Sequence, residues 1–172
     1  AESTAAALDR LDAAQASGDI VFTYDFTDGL KDGSLGAAMA WSGDSVQLQA
    51  EPPEVQAERP DIQFVIPEEG AIQWFDTMVI TGRSPNVAGA ARFMNYVYDP
   101  AAAAQITEWV QYLSPVLGVR ELLLNRGGES AALANNPLVF PDDETRRRLF
   151  TWGSFDADVE AEVEVRFADI SG

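Results

Sequence analysis

The sequence predicts an α/β fold, and three of its features do so. Short β-branched and aromatic runs recur between Ile20 and Ile80, helical periodicities take over from Asn86, and Gly or Pro stands at most boundaries between them. With 172 residues, 47% of them hydrophobic, the chain has the length of one domain and enough apolar material for a sizeable core.

Each element follows from its residues. Ala6, Leu8 and Leu11 suggest a helix from about Ser3, a residue suited to capping, to Ser17, where Ser17-Gly18 stops it. Two short strands come next: Ile20–Tyr24, β-branched and aromatic, and Gly36–Trp41, a run of small residues ending on an aromatic. A third strand, Ile62–Ile66, is closed by Pro67, and a fourth, Ala71–Ile80, is unusually long. The acidic, proline-containing stretch Glu51–Pro60 reads as a surface loop.

Beyond Asn86 the spacing changes. Val87, Ala90, Ala91, Met94, Val97 and Tyr98 recur at three and four and mark one buried helix face. Asp99-Pro100, a cap followed by a first-turn proline, opens a second helix through Val110 with Ile106, Trp109 and Val110 as its apolar side. Val116–Leu124 and Asp142–Phe150 are two further helices. In the latter, Arg146, Arg147 and Arg148 each follow an acidic residue by four, the spacing of a self-paired helix surface. Phe155–Phe167 alternates almost like a strand, but its every-fourth stripe of Phe155, Val159, Val163 and Phe167, with Ala and Glu between, predicts a helix.

Composition removes much chemistry. With no Cys and no His there is no thiolate nucleophile, no Ser-His-Asp relay, no zinc finger and no iron–sulfur cluster. Any metal site would have to be all-oxygen, and neither a metal nor a cofactor is expected. Lys31 is the only lysine and follows no phosphate-loop pattern. The 28 acidic residues against 11 basic ones give a net charge of −17, which repels nucleic acid. The same acidity serves solubility or attracts a cationic ligand. No apolar run approaches the ~20 residues that span a bilayer, and Ala1–Ser17 lacks the basic start and apolar centre of a signal peptide.

Three places combine aromatics with carboxylates or hydroxyls near predicted strand ends, where ligands collect in open α/β sheets. They are Trp41-Ser42-Gly43-Asp44, Trp74-Phe75-Asp76 and Tyr112-Leu113-Ser114-Pro115. An alkyl ammonium needs a carboxylate to accept its N–H donors, and aromatic faces cover its methylene stem. Taken alone, Trp41 or Trp74 is more often a core residue, and a lone Asp after a strand is commonly a helix cap. Asp44 and Asp76 would also serve as the acid and base of a glycosidase, whose chemistry needs neither His nor Cys.

At these residues the sequence resembles the periplasmic spermidine/putrescine-binding proteins, the type II solute receptors of polyamine ABC importers. The resemblance runs from about Gly33 through AAMAWSGDSVQ at 37–47, FVIPEEGAIQWFDTMVI at 64–80, ARFMNYVYDPAAAAQI at 91–106, YLSPV at 112–116 and NPLVFPDDETRRRLF at 136–150, in family order. It implies that Trp41, Asp44, Trp74, Asp76 and Tyr112 line a polyamine site, that no residue is catalytic, and that the partners are the polyamine and a membrane permease at a periplasmic or extracellular location. The family's polar residue near Thr151-Trp152-Gly153-Ser154 has no recognisable counterpart, which leaves putrescine and longer polyamines open. A related receptor for another cationic amine or an amino-acid-like solute, and a truncated lobe with only an assembly role, are the alternative readings.

Family members are bilobed, and the front half has no counterpart here. The resemblance therefore implies a partial type II periplasmic-binding-protein fold, mainly the second lobe, at about 1–72 and 118–172, plus a segment at 75–116 that crosses the hinge to the first lobe. The helices Asn86–Val110 would then present an apolar face made for absent strands. That predicts either a homodimer or swapped assembly that covers it, or a further chain segment.

Overall fold

The computed structural model describes residues 2–51 and 61–172, apart from the side chain of Glu2. In chain order the elements are α1 (Glu2–Ser17), α2 (Phe26–Asp32), α3 (Ser42–Gln49), β1 (Ala71–Ile72), α4 (Val87–Val97), α5 (Pro100–Val110), α6 (Val119–Arg126), α7 (Gly128–Ala134), α8 (Asp143–Arg147), β2 (Leu149–Phe150) and α9 (Ala157–Ser171). They fall into two compact units, Ala1–Phe26 with Trp152–Gly172, and Thr27–Thr151. Helix and a small sheet together make a partial α/β fold, with far less strand than the sequence predicts. Of the predicted loop Glu51–Pro60, all but Glu51 lies outside the described residues.

In the first unit α1 packs on α9. Ser3 sits inside the first turn of α1 instead of capping it. The helix stops where expected, with Gly18 at φ +80° and the amides of Gly18 and Asp19 donating to the carbonyls of Gln15 and Ala14. Leu8 and Ile170 are buried, the Arg166 guanidinium donates to Asp9 at 2.6 Å, and the Phe22 ring meets Phe167 edge-on at 5.5 Å. The tail is a helix, as its stripe predicts, although it begins after Phe155. Ile20–Tyr24 is not a strand. A β-branched run becomes one only when another backbone pairs its N–H and C=O groups, and here Phe22 packs as a side chain while Tyr24 stays exposed.

The second unit is built around α5. Ala103 and Ala104 form a core with Val119 and Leu123 of α6 and Ala134 of α7, ringed by Val116, Leu122, Leu133 and Phe140. Asp99 caps α5 as the sequence predicts, accepting from the Ala101 and Ala102 amides at 3.0 and 3.2 Å. The buried face is Ala102, Ala103, Ala104 and Thr107, however, not Ile106, Trp109 and Val110, and Trp109 is 86% exposed. Small residues let two helices approach closely, so the inward side is the one without bulk. Glu108 joins the three helices by accepting from the Ser130 hydroxyl and the Arg126 guanidinium. The Ser130 bond, helped by Arg126 and opposed by burial, holds its carboxyl below the usual range.

Other boundaries shift for local reasons. α4 is where the periodicity places it, capped by Asn86, but Val87 and Tyr98 are exposed and none of its residues is fully buried. α6 begins at Val119 rather than Val116, because Gly118 at φ +85° breaks the chain direction first. α8 ends at Arg147, and the expected pairing of each arginine with the acidic residue four before it is not what forms. Arg146 reaches Asp143 at 4.0 Å, whereas Arg148 donates to the carbonyls of Ile66 and Pro67 at 3.2 and 3.5 Å. β1 and β2 pair in parallel, Ala71 with Leu149 and Ile72 with Phe150. A Cβ at Gly70 would stand 2.3 Å from the Arg148 carbonyl, so this approach requires the glycine, which is also at φ +101°. Of the predicted strands, Gly36–Trp41 and Ile62–Ile66 are not strands, and Ala71–Ile80 is a strand only at its first two residues.

Leu123 is fully buried at the centre of this core. Leu123→Ala is expected to reduce unfolding free energy by about 2–5 kcal/mol, read from urea melts. An unchanged midpoint would mean that α5 and α6 do not depend on each other.

Candidate functional site

The chain enters α3 through Trp41, the N-cap residue, whose backbone is extended. Asp44 follows in the first turn of α3, so it is not the cap. There the amide-rich helix start favours its negative charge. The other side of the site comes from the end of α5. Gln111 adopts a left-handed conformation, φ 58° and ψ 30°, and its amide donates to the Thr107 carbonyl at 2.9 Å. This position usually falls to Gly or Asn. The reversal leads into Tyr112, whose hydroxyl donates to Asp44 Oδ1 at 3.3 Å.

Two further contacts fix this geometry. Gln47 of α3 donates from Nε2 to the Val110 carbonyl at 3.3 Å, tying α3 to the last turn of α5. The Tyr112 ring lies against Gly43, where an added Cβ would stand 2.0 Å from it. Burial first, and then the negative charge of Asp44, pushes the Tyr112 phenol up to about 12. Beside the pair is an open concavity of about 430 Å³ lined by Gln47, Trp109, Val110, Gln111 and Tyr112.

Of the five residues singled out in the sequence, the structure thus joins Asp44 to Tyr112 and sets Trp41, 44% exposed, on the same helix start as Asp44. Trp74, 46% exposed, and the exposed Asp76 lie in the irregular stretch after β1. That stretch is anchored by the Gln73 amide donating to the Phe150 carbonyl at 2.7 Å. No hydrogen bond or ion pair among the described residues joins Trp74 or Asp76 to Asp44 or Tyr112. Trp41 and Trp74 are not core residues. Gly43, Gln47 and Gln111 were not legible as site residues: no helix was expected at α3, and nothing marks Gln111 as left-handed. Among the described residues no cluster of carboxylates could hold a metal ion.

Residues 1–141 match the model of a family described as bacterial extracellular solute-binding protein. The chain belongs to this family. As a solute-binding protein it is similar to the putrescine-binding periplasmic protein of Pseudomonas aeruginosa, at 29% identity over 72% of this chain and 32% of that protein. It is also similar to two Escherichia coli proteins. One is the spermidine/putrescine-binding periplasmic protein, 32% identical over 66% of this chain and 29% of the relative. The other is the putrescine-binding periplasmic protein, 30% identical over 71% and 31%. The chain spans about a third of the length of the relatives it matches. No helix among its described residues is long and apolar enough to cross a membrane.

The phenol of this solute-binding protein sets a pH dependence. An acid with a raised folded-state value stays protonated in the folded chain while the unfolded chain ionises, so stability falls as pH rises between the ordinary value and the folded one. For Tyr112 the fall spans pH 10.0 to about 12. Alkaline urea melts are expected to show it, and Tyr112→Phe to flatten it. An equally steep fall in the variant would assign the effect to another group.

Proposed function

We propose that this chain recognises a linear polyamine, putrescine or spermidine, as part of the substrate-binding component of an ABC transporter. It acts as a receptor and not an enzyme. The observation that carries the reading is the half-buried Asp44 carboxylate, held by Tyr112 at the helix start whose N-cap is the exposed Trp41. This is a charge acceptor next to an aromatic face, as an alkyl ammonium needs. The names of the relatives and the net charge of −17 support it. On this reading Asp44 and Asp76 take ammonium groups, and Trp41, Trp74 and Tyr112 cover the methylene stem.

The reading extends to the rest of the receptor. The segment 75–116 crosses a hinge to a first lobe, while about 1–72 and 118–172 belong to the second. The exposed Phe93, Tyr96, Ile106 and Trp109 of α4 and α5 are then a face for the remainder of a bilobed protein of the relatives' length. A homodimer or swapped assembly has only that exposure in its favour. The receptor works in the periplasm and delivers its ligand to a membrane permease. Closure of two lobes supplies the differential affinity that a ligand needs to shift an open–closed balance, so this chain by itself binds weakly.

In the complete receptor, Asp44→Asn and Asp76→Asn are each expected to weaken putrescine binding by well over tenfold in titration calorimetry, since losing one partner of a desolvated charge pair costs about 2–5 kcal/mol. Unchanged affinity in either variant would remove that carboxylate from the site. A thermal-shift panel in which an amino acid, and no polyamine, stabilises the receptor would replace the ligand class.

A further inference from the structure

We propose that Gly43 is a positioning residue of the ligand site: its lack of a side chain admits the Tyr112 ring against α3, so that the phenol engages Oδ1 of Asp44 and leaves Oδ2 for a cationic group. The contact stands without any ligand, and only the identity of that cation rests on the polyamine reading.

The glycine has no backbone reason to be there. Gly43 is the second residue of α3 and does not have a positive φ. In a helical position alanine is preferred over glycine, which loses more freedom on folding. The requirement is steric. A Cβ at residue 43 would lie 2.0, 2.3 and 2.4 Å from Cε2, Cδ2 and Cζ of Tyr112, distances that non-bonded carbons do not adopt.

The Tyr112 backbone has little room to yield. It follows the left-handed Gln111, whose amide is held by Thr107, and the preceding Val110 carbonyl is held by Gln47. An added methyl would therefore turn the ring about its own side-chain torsions. The phenol already reaches Oδ1 at 3.3 Å, near the limit of a hydrogen bond, and such a rotation breaks it. Asp44 would then lose the group that orients its carboxylate.

The test compares Gly43→Ala, Tyr112→Ala and the double variant. In the ligand-free protein, ultraviolet titration assigns the Tyr112 phenol as the transition absent from Tyr112→Ala. Gly43→Ala is expected to bring that transition down from about 12 toward the ordinary 10.0. In the complete receptor, Gly43→Ala is expected to weaken putrescine binding by about tenfold, yet to change it less than about twofold when Tyr112 is already Ala, since its effect passes through the ring. A phenol still near its original value in Gly43→Ala, or an equal loss of affinity in both backgrounds, would overturn the proposal. If Gly43→Ala does not fold, the double variant, which has no clash, is expected to fold, and its failure would place the role of the glycine in the α3 backbone instead. A moved phenol transition in a receptor that never binds putrescine supports the positioning role and removes only the polyamine.

Discussion

Ala102, Ala103 and Ala104 are consecutive and all buried. Three consecutive helical residues span about 200° of circumference, so α5 is covered on more than one side, which only small side chains allow at close range. Val119 and Leu123 of α6 and Ala134 of α7 fill that space, and Glu108 adds hydrogen bonds to Ser130 and Arg126 around it. The site depends on this packing, because Gln111 and Tyr112 directly follow the last residue of α5. A helix free to slide would carry the phenol away from Asp44. The alanine face thus determines where the aromatic wall of the site stands.

Helices with strong local signals were legible in the sequence. The spacing from Val87 to Tyr98, the Asp99-Pro100 start and the Ser17-Gly18 stop each correspond to a boundary within a residue or two, because caps and periodicity act through neighbours a turn away. α2, α3 and α7 were not legible, being seven or eight residues long, too short to show an apolar stripe. The strands failed for another reason. Ile20–Tyr24 and Ile62–Ile66 have the composition of strands, but a ladder is a property of two segments, and composition describes one. The inward side of α5 was misjudged by reading large apolar residues as buried, whereas close helix packing selected the alanines.

The site divides along the same line. Residue types were enough to pick out Asp44 and Tyr112, which are far apart in sequence and meet in space. What the types lacked was the hinge between them. The left-handed Gln111 is a backbone property unusual for glutamine, and the Gly43 contact involves an atom that is not there. Trp74 and Asp76 were picked out by the same chemistry, but they stand in a stretch whose direction is set by two ladder residues.

The pairing of Ala71 with Leu149 joins a point before the middle of the chain to one near its end. Such a ladder has to close a long loop before its few hydrogen bonds can form, while α4 to α7 assemble through contacts between successive helices. On a ribosome, β2 emerges after the helical core has had time to form, and only then can the arm carrying Trp74 and Asp76 be secured. The Asp44–Tyr112 contact, made among the helices, is thereby in place before the stretch carrying Trp74 and Asp76 is anchored.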